Sequence, residues 1–126
     1  MSERLNISSG YPFEETYGYA RAVRVGDQVF VSGTTARGAD LDRDALGQAK
    51  SAIGIIAEAL QQAGADLRHV VRTVVYVIDM ADTDAVARAH SKAFGAVRPA
   101  STLVKVAGLT PEAARVEIEV TAVVRD

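Results

Sequence analysis

The chain of 126 residues has no cysteine, no tryptophan, two histidines, three prolines and little excess of either charge. Each scarcity removes a class of chemistry. Without cysteine there is no disulfide, no thiol nucleophile and no thiolate metal site. The two histidines, His69 and His90, are far apart and fall in no H-x-x-x-H or H-x-E pattern, so no metal site is expected. No apolar run approaches the roughly 20 residues that span a bilayer. A net charge of −2 disfavours nucleic-acid and anionic-membrane partners, because both reward a basic patch. The amino-terminal Met-Ser-Glu-Arg-Leu-Asn lacks the basic start and apolar core of a secretory signal, and a soluble cytoplasmic protein is expected.

What is present fits one domain over residues 1–126, with 48% hydrophobic residues and no repeat, linker or low-complexity stretch. The clearest pattern is at the end. Val116, Ile118, Val120, Ala122 and Val124 alternate with Glu117, Glu119, Thr121 and Val123, as in a strand with one face in a core. Ser101 to Val106 reads as a shorter strand, separated from it by a turn holding Gly108 and Pro111. If these two strands pair, Ser101 and Glu119 approach each other on one face.

Earlier in the chain, residues 1–18 carry no period and read as a loop whose aromatics (Tyr11, Phe13, Tyr17) lie against something. Tyr19–Val25 and Val29–Ser32 flank Gly26-Asp27 and predict a hairpin. The glycine-bearing stretch from Thr34 to Asp40 leaves the sheet as a loop. Asp42 is the expected N-cap of a helix carrying Ala49, Ala52, Ile53, Ile56 and Leu60, closed by Gly64. Val70–Ile78 is apolar on both faces, as in a central strand covered above and below. Asp82 opens a second helix with Val86, Ala89, His90, Ala93 and Phe94 on one face, ended by Gly95. The order ββαβαββ, with right-handed crossovers, puts both helices on one side of the sheet. The other side is then apolar and bare, so another subunit is expected to cover it.

No single residue announces a reaction. Glu119, on the mixed second face of the last strand, is the first candidate to act on water or a leaving amine; by pattern alone the commoner reading is a solvated acid sharing that face with Glu117. His90 would be a base if a nucleophile or carboxylate lay beside it, and otherwise a core histidine bonded to backbone. His69, at a helix-to-strand junction beside Arg68, is expected to be exposed. Arg37 suits a carboxylate by bidentate pairing, or is simply a loop cation. Ser32 and Ser101 need a neighbouring base to be nucleophiles and are otherwise structural. Gly33 and Gly38 flank Thr34-Thr-Ala-Arg-Gly, which matches neither a phosphate loop nor a dinucleotide fingerprint.

Several strings nevertheless coincide with one family. Tyr19-Ala-Arg-Ala-Val-Arg-Val-Gly-Asp-Gln-Val-Phe-Val-Ser-Gly33, Ala63-Gly-Ala-Asp-Leu, Val71-Arg-Thr-Val-Val-Tyr-Val, Asp79-Met, Arg98-Pro-Ala-Ser and Val116-Glu-Ile-Glu-Val together resemble the RidA/YjgF family of reactive-intermediate deaminases, also labelled endoribonuclease L-PSP. The resemblance runs in order from about Tyr17 to Val124. It implies a chorismate-mutase-like α+β subunit, with helices on one face of a mixed sheet. It also implies a homotrimer whose sheets form a central barrel, with small-molecule ligands in three clefts between subunits. The implied activity is hydrolysis of short-lived enamines and imines to keto acids and ammonia, without metal or cofactor.

In that family an arginine on the strand after the Pro-Ala pair grips the substrate carboxylate, a glutamate on the last strand lies near the attacking water, and a Ser-Gly-Gln turn with a tyrosine lines the pocket. Carried over, the glutamate falls on Glu119, the tyrosine on Tyr19 and the Ser-Gly on Ser32 and Gly33. Three positions depart: Ser101 stands for the arginine, Thr34 for the glutamine and His90 for a helix tyrosine. The first departure matters most, since a charge-assisted contact is worth roughly 1.5–3 kcal/mol. Either Arg37 reaches in from its loop, or the substrate lacks that carboxylate. The readings are therefore a deaminase-like hydrolase of changed specificity, a non-catalytic ligand-binding or regulatory trimer, and a ribonuclease or translation inhibitor, the last disfavoured by the acidic balance.

Overall fold

A computed structural model describes residues 3–125. Strands β1 (Arg4–Ile7), β2 (Ala22–Val25), β3 (Gln28–Thr34), β4 (Val70–Val77), β5 (Ala100–Lys105) and β6 (Val116–Val123) form one sheet in the order β1-β2-β3-β6-β4-β5. The β4–β5 pair is parallel and every other pair antiparallel. Helices α2 (Ala45–Gln62) and α3 (Thr83–Phe94) pack together on one face; a short helix α1 (Pro12–Tyr17) precedes β2. This is the chorismate-mutase-like α+β arrangement, with helices on one side of a mixed sheet.

The alternation in β6 works as its sequence implies: Val116, Ile118, Val120 and Ala122 are buried in one core with Ile56, Leu60 and Phe94. Burying each of the larger of these side chains stabilises the fold by roughly 1.5–3 kcal/mol. Gly26 takes φ +61 in the β2–β3 turn, a conformation open to glycine.

Four expectations need correction. β5 does not pair with β6, because β6 inserts between β3 and β4, and the crossover through α3 leaves β5 parallel on the outer edge of β4. Thr73, Ser101 and Val120 lie in one register row, and Thr73 and Val120 point into the helix-covered core. Ser101 and Glu119 therefore sit on opposite faces of the sheet. Asp42 is not the helix cap; it ends a 3-10 turn over Gly38–Asp42, and Asp44 caps α2 by accepting the Gly47 amide at 2.9 Å. Residues expected as a loop form β1 and α1, while Met1 and Ser2 lie outside the described residues. His69 is buried rather than exposed, its Nδ1 accepting the Asp66 amide at 3.1 Å.

The open face of the sheet carries Val23, Phe30, Val74, Tyr76, Val104 and Val123 beside Glu117, Glu119 and Thr121. Phe30 is 45% exposed and Val104 39%, so this single chain leaves an apolar face uncovered.

Candidate functional site

The site grows from one buried carboxylate. Glu14, the buried residue of α1, accepts hydrogen bonds from the Ser8 hydroxyl (3.2 Å), the Ser9 amide (3.2 Å), the Ser9 hydroxyl and Arg21 Nε (3.2 Å). Burial pushes its pKa up, but the Ser9 bonds and the Arg21 charge outweigh burial and hold it below the ordinary value of 4.5. Glu14 is thus kept ionised as the counter-charge of Arg21.

Arg21 is 1% exposed and spends its donors on the walls of a cavity. Its Nη1 donates to the Gly33 carbonyl (2.8 Å) and Thr34 Oγ1 (3.0 Å), and its Nη2 donates to the Tyr19 hydroxyl (2.8 Å). One guanidinium therefore fixes the tyrosine and the Ser32-Gly33 bend relative to each other. Ser32 Oγ is turned to the Ala20 carbonyl at 2.8 Å.

The cavity encloses about 320 Å³, within the ordinary range for small-ligand sites. Tyr11, Phe13, Tyr17 and Tyr19 wall one side; Arg21, Ser32, Gly33, Thr35, Arg37, Thr110 and Glu117 complete it. Phe13 stacks on Tyr17 with centroids 5.6 Å apart, and Tyr19 meets both edge-on.

Glu117 is the carboxylate in this cavity. A register shift in β3 between Val31 and Thr34 puts Gly33 directly beneath it. A Cβ at Gly33 would lie 2.8 Å from Glu117 Cδ and closer still to Oε2, so the approach requires glycine. Burial and the charge of Glu119 raise the Glu117 pKa above 4.5, with Arg21 pulling the other way. A carboxylate with raised basicity, beside a tyrosine and a backbone bend in a partly dry cavity, can take a proton from water. Among the described residues, no three His, Cys, Asp or Glu side chains converge to hold a metal ion.

A family model described as Endoribonuclease L-PSP matches residues 12–124. The chain is 42% identical over 119 residues to SCO2049 of Streptomyces coelicolor, covering 92% of this chain and 89% of that protein. It is 34% identical over 109 residues to the 2-iminobutanoate/2-iminopropanoate deaminase of Mus musculus, covering 83% and 80%. The crystal structure of Rv2704 from Mycobacterium tuberculosis, described as a member of the YjgF/YER057c/UK114 family, superposes with a TM-score of 0.90 at 44% identity, over 97% of this chain and 100% of that one. The chain belongs to the RidA/YjgF family.

In this RidA/YjgF chain, Tyr19, Ser32, Gly33 and Arg37 line the cavity together. Thr34 does not; it is 1% exposed, its Oγ1 donating to the Ser32 carbonyl at 2.8 Å, and Thr35 lines the cavity instead. Glu119 also lies outside. It is one row further along the open face, where its Oε1 accepts the Tyr76 hydroxyl at 2.5 Å. That bond, with burial, pushes the Tyr76 pKa up to about 12, so Tyr76 stays a donor. The structure thus puts Glu117, not Glu119, among the residues that resemble the family pocket.

Ser101 and His90 form a second cluster on the helix-covered face, lining a separate cavity of about 190 Å³. The Thr73 hydroxyl donates to Ser101 Oγ (2.6 Å) and therefore accepts from His90 Nε2 (2.8 Å). Burial lowers the His90 pKa and keeps the imidazole neutral. His90 is bonded to a side chain, not to backbone as a core histidine was expected to be.

Sequence reasoning passed over Arg21, Glu14 and Glu117. The signal for Arg21 was an arginine between two alanines at the start of a β-prone stretch. Glu14 carried none, because a six-residue helix shows no period.

Proposed function

We propose that this protein is a RidA-like hydrolase of small imines or enamines, with Glu117 as the base and the Tyr19–Ser32–Gly33 wall as its binding surface. The observation that carries the reading is Glu117 itself, a carboxylate of raised pKa seated over Gly33 and facing the aromatic wall. The deaminase names of relatives such as the mouse protein support the same class of reaction. In this reaction Glu117 takes a proton from water as the oxygen attacks the imine carbon. Glu117 passes that proton to the imine nitrogen, which gives the carbinolamine. It then carries the carbinolamine's hydroxyl proton to the amine, the C–N bond breaks, and ammonia leaves as the carbonyl forms. The bare apolar face, with the family resemblance, supports a homotrimer in which neighbouring subunits cover Phe30, Val74 and Val104 and bound the clefts. The changed specificity follows from Ser101, whose hydroxyl is engaged by Thr73 on the far face of the same chain.

The test is ammonia release from imines generated in situ by an amino-acid oxidase. Turnover should vanish in Glu117→Gln and survive in Glu119→Gln. Loss in Glu119→Gln alone would reverse the assignment, and no release by the wild type would favour a ligand-binding trimer.

A further inference from the structure

Two guanidinium groups line the cavity, and one of them leaves a whole edge of donors unused. Every nitrogen of Arg21 is engaged, and four of its five N–H donors go to Glu14, Gly33, Thr34 and Tyr19. Arg37 donates from Nη1 to Ser9 Oγ at 2.9 Å, while its Nε and Nη2 are buried and have no hydrogen-bond partner. The nearest acid, Glu14, is 3.9 Å from Nη2, an ion pair beyond hydrogen-bond range and already shared with Arg21. Nε and Nη2 form the edge of a guanidinium that grips a carboxylate through two parallel bonds. A buried donor without an acceptor is costly to maintain, so a ligand oxygen arriving there is strongly rewarded.

The plane of that guanidinium is set by Tyr11, whose ring centroid lies 4.3 Å from Cζ. Tyr11 is also the first of four aromatics around the cavity, in a chain with four tyrosines and three phenylalanines altogether. Phe13 is 38% exposed and Tyr17 74%, although they stack on each other. Flat apolar surface beside a guanidinium edge without hydrogen-bond acceptors fits a ligand that is flat and apolar at one end and anionic at the other.

We infer that Arg37 is the carboxylate anchor of this site and that Phe13 and Tyr17 select an aromatic side chain, making the substrate class the 2-imino acids of aromatic amino acids and the product the matching 2-oxo acids. Turning the Nε–Nη2 edge into the cavity costs the Arg37–Ser9 hydrogen bond, an exposed contact. Arg37 thereby supplies from the loop after β3 the cation that Ser101 does not supply from β5. The substrate class rests on the imine-hydrolase reading; the binding geometry does not.

Binding and turnover are therefore measured separately. Calorimetry with three stable probes reads the site: phenylpyruvate, pyruvate, and phenylacetone, which keeps the ring and carbonyl but lacks the carboxylate. Phenylpyruvate should bind the wild type at least about tenfold more tightly than either of the others. Arg37→Gln should weaken phenylpyruvate about tenfold or more and leave phenylacetone unchanged, with Arg37→Lys in between. The double variant Phe13→Ala/Tyr17→Ala, at exposed positions that the core does not need, should bring phenylpyruvate down to the affinity of pyruvate. An unchanged affinity in Arg37→Gln, equal binding of pyruvate and phenylpyruvate, or no binding of phenylpyruvate overturns the inference. Binding as expected without ammonia release from the phenylalanine-derived imine would overturn the hydrolase reading alone.

Discussion

Replacing Gly33 by alanine separates the chemistry of Glu117 from the stability of the fold. Gly33 is not at positive φ, so alanine can adopt its backbone without strain. The new methyl would lie 2.8 Å from Glu117 Cδ and 3.2 Å from Cγ, so the carboxylate must swing off its seat. Glu117 is the free end of a flexible side chain, and its displacement costs little. Removing a glycine from the unfolded chain returns about 0.4–1 kcal/mol. The two effects nearly cancel, and the melting temperature should stay within a few degrees of wild type. Activity should behave otherwise: misplacing a general base costs about 10²–10⁴-fold in rate. Scanning calorimetry and ammonia release on the same preparations check both halves, with Glu117→Gln as the reference for complete loss. Wild-type turnover in Gly33→Ala would refute the role given to Glu117. A melting temperature lowered as far as in a core truncation would show that Gly33 serves packing.

Further outcomes follow from the charges and the bare face. Because the Glu117 pKa is raised, its base form appears only above 4.5, and the acid limb of the rate profile should be displaced upward accordingly. The same shift means that its contribution to stability falls as pH rises through the raised folded value, so Glu117→Gln should melt higher than wild type at neutral pH. Glu14 has the opposite sign. Its lowered pKa contributes stability above 4.5 that is lost as pH falls through the folded value, so acid titration of Glu14→Gln should show a shallower loss. Arg21→Met strands Glu14 in a buried site and should cost about 3–5 kcal/mol, read by denaturant unfolding. On the open face, Val74→Asp should convert the assembly to monomers in light scattering; a wild type that is already monomeric would refute the covered-face proposal.

The sequence made some of this legible and hid the rest for definite reasons. Strict alternation over Val116–Val123 marks which residues share a face, and Gly26-Asp27 marks a hairpin. Alternation says nothing about position along a strand, and Glu117 and Glu119 are equivalent by that measure. What separates them is the register shift in β3 that brings Gly33 under Glu117, and no residue type announces it. Pairing order was equally hidden, since nothing in β5 or β6 tells that β4 lies between them. The Arg21–Glu14 pair escaped because Glu14 belongs to a six-residue helix, too short for any period, and Arg21 stands just ahead of the four-residue strand β2, outside any regular element.

The network around Glu14 also sets how the site responds to heat. α1 contributes one buried side chain, and its anchoring runs mainly through hydrogen bonds to that carboxylate rather than through the core beneath α2 and α3. Segments held this way open locally at a lower free energy than the whole molecule. When residues 8–19 open, Arg21 loses its counter-charge, Tyr19 its tether and the cavity its aromatic wall, while the sheet stays intact. Warming should therefore silence the protein in its folded state, with the fall in activity preceding the calorimetric transition. An occupied cavity should slow amide exchange in that one stretch more than anywhere else.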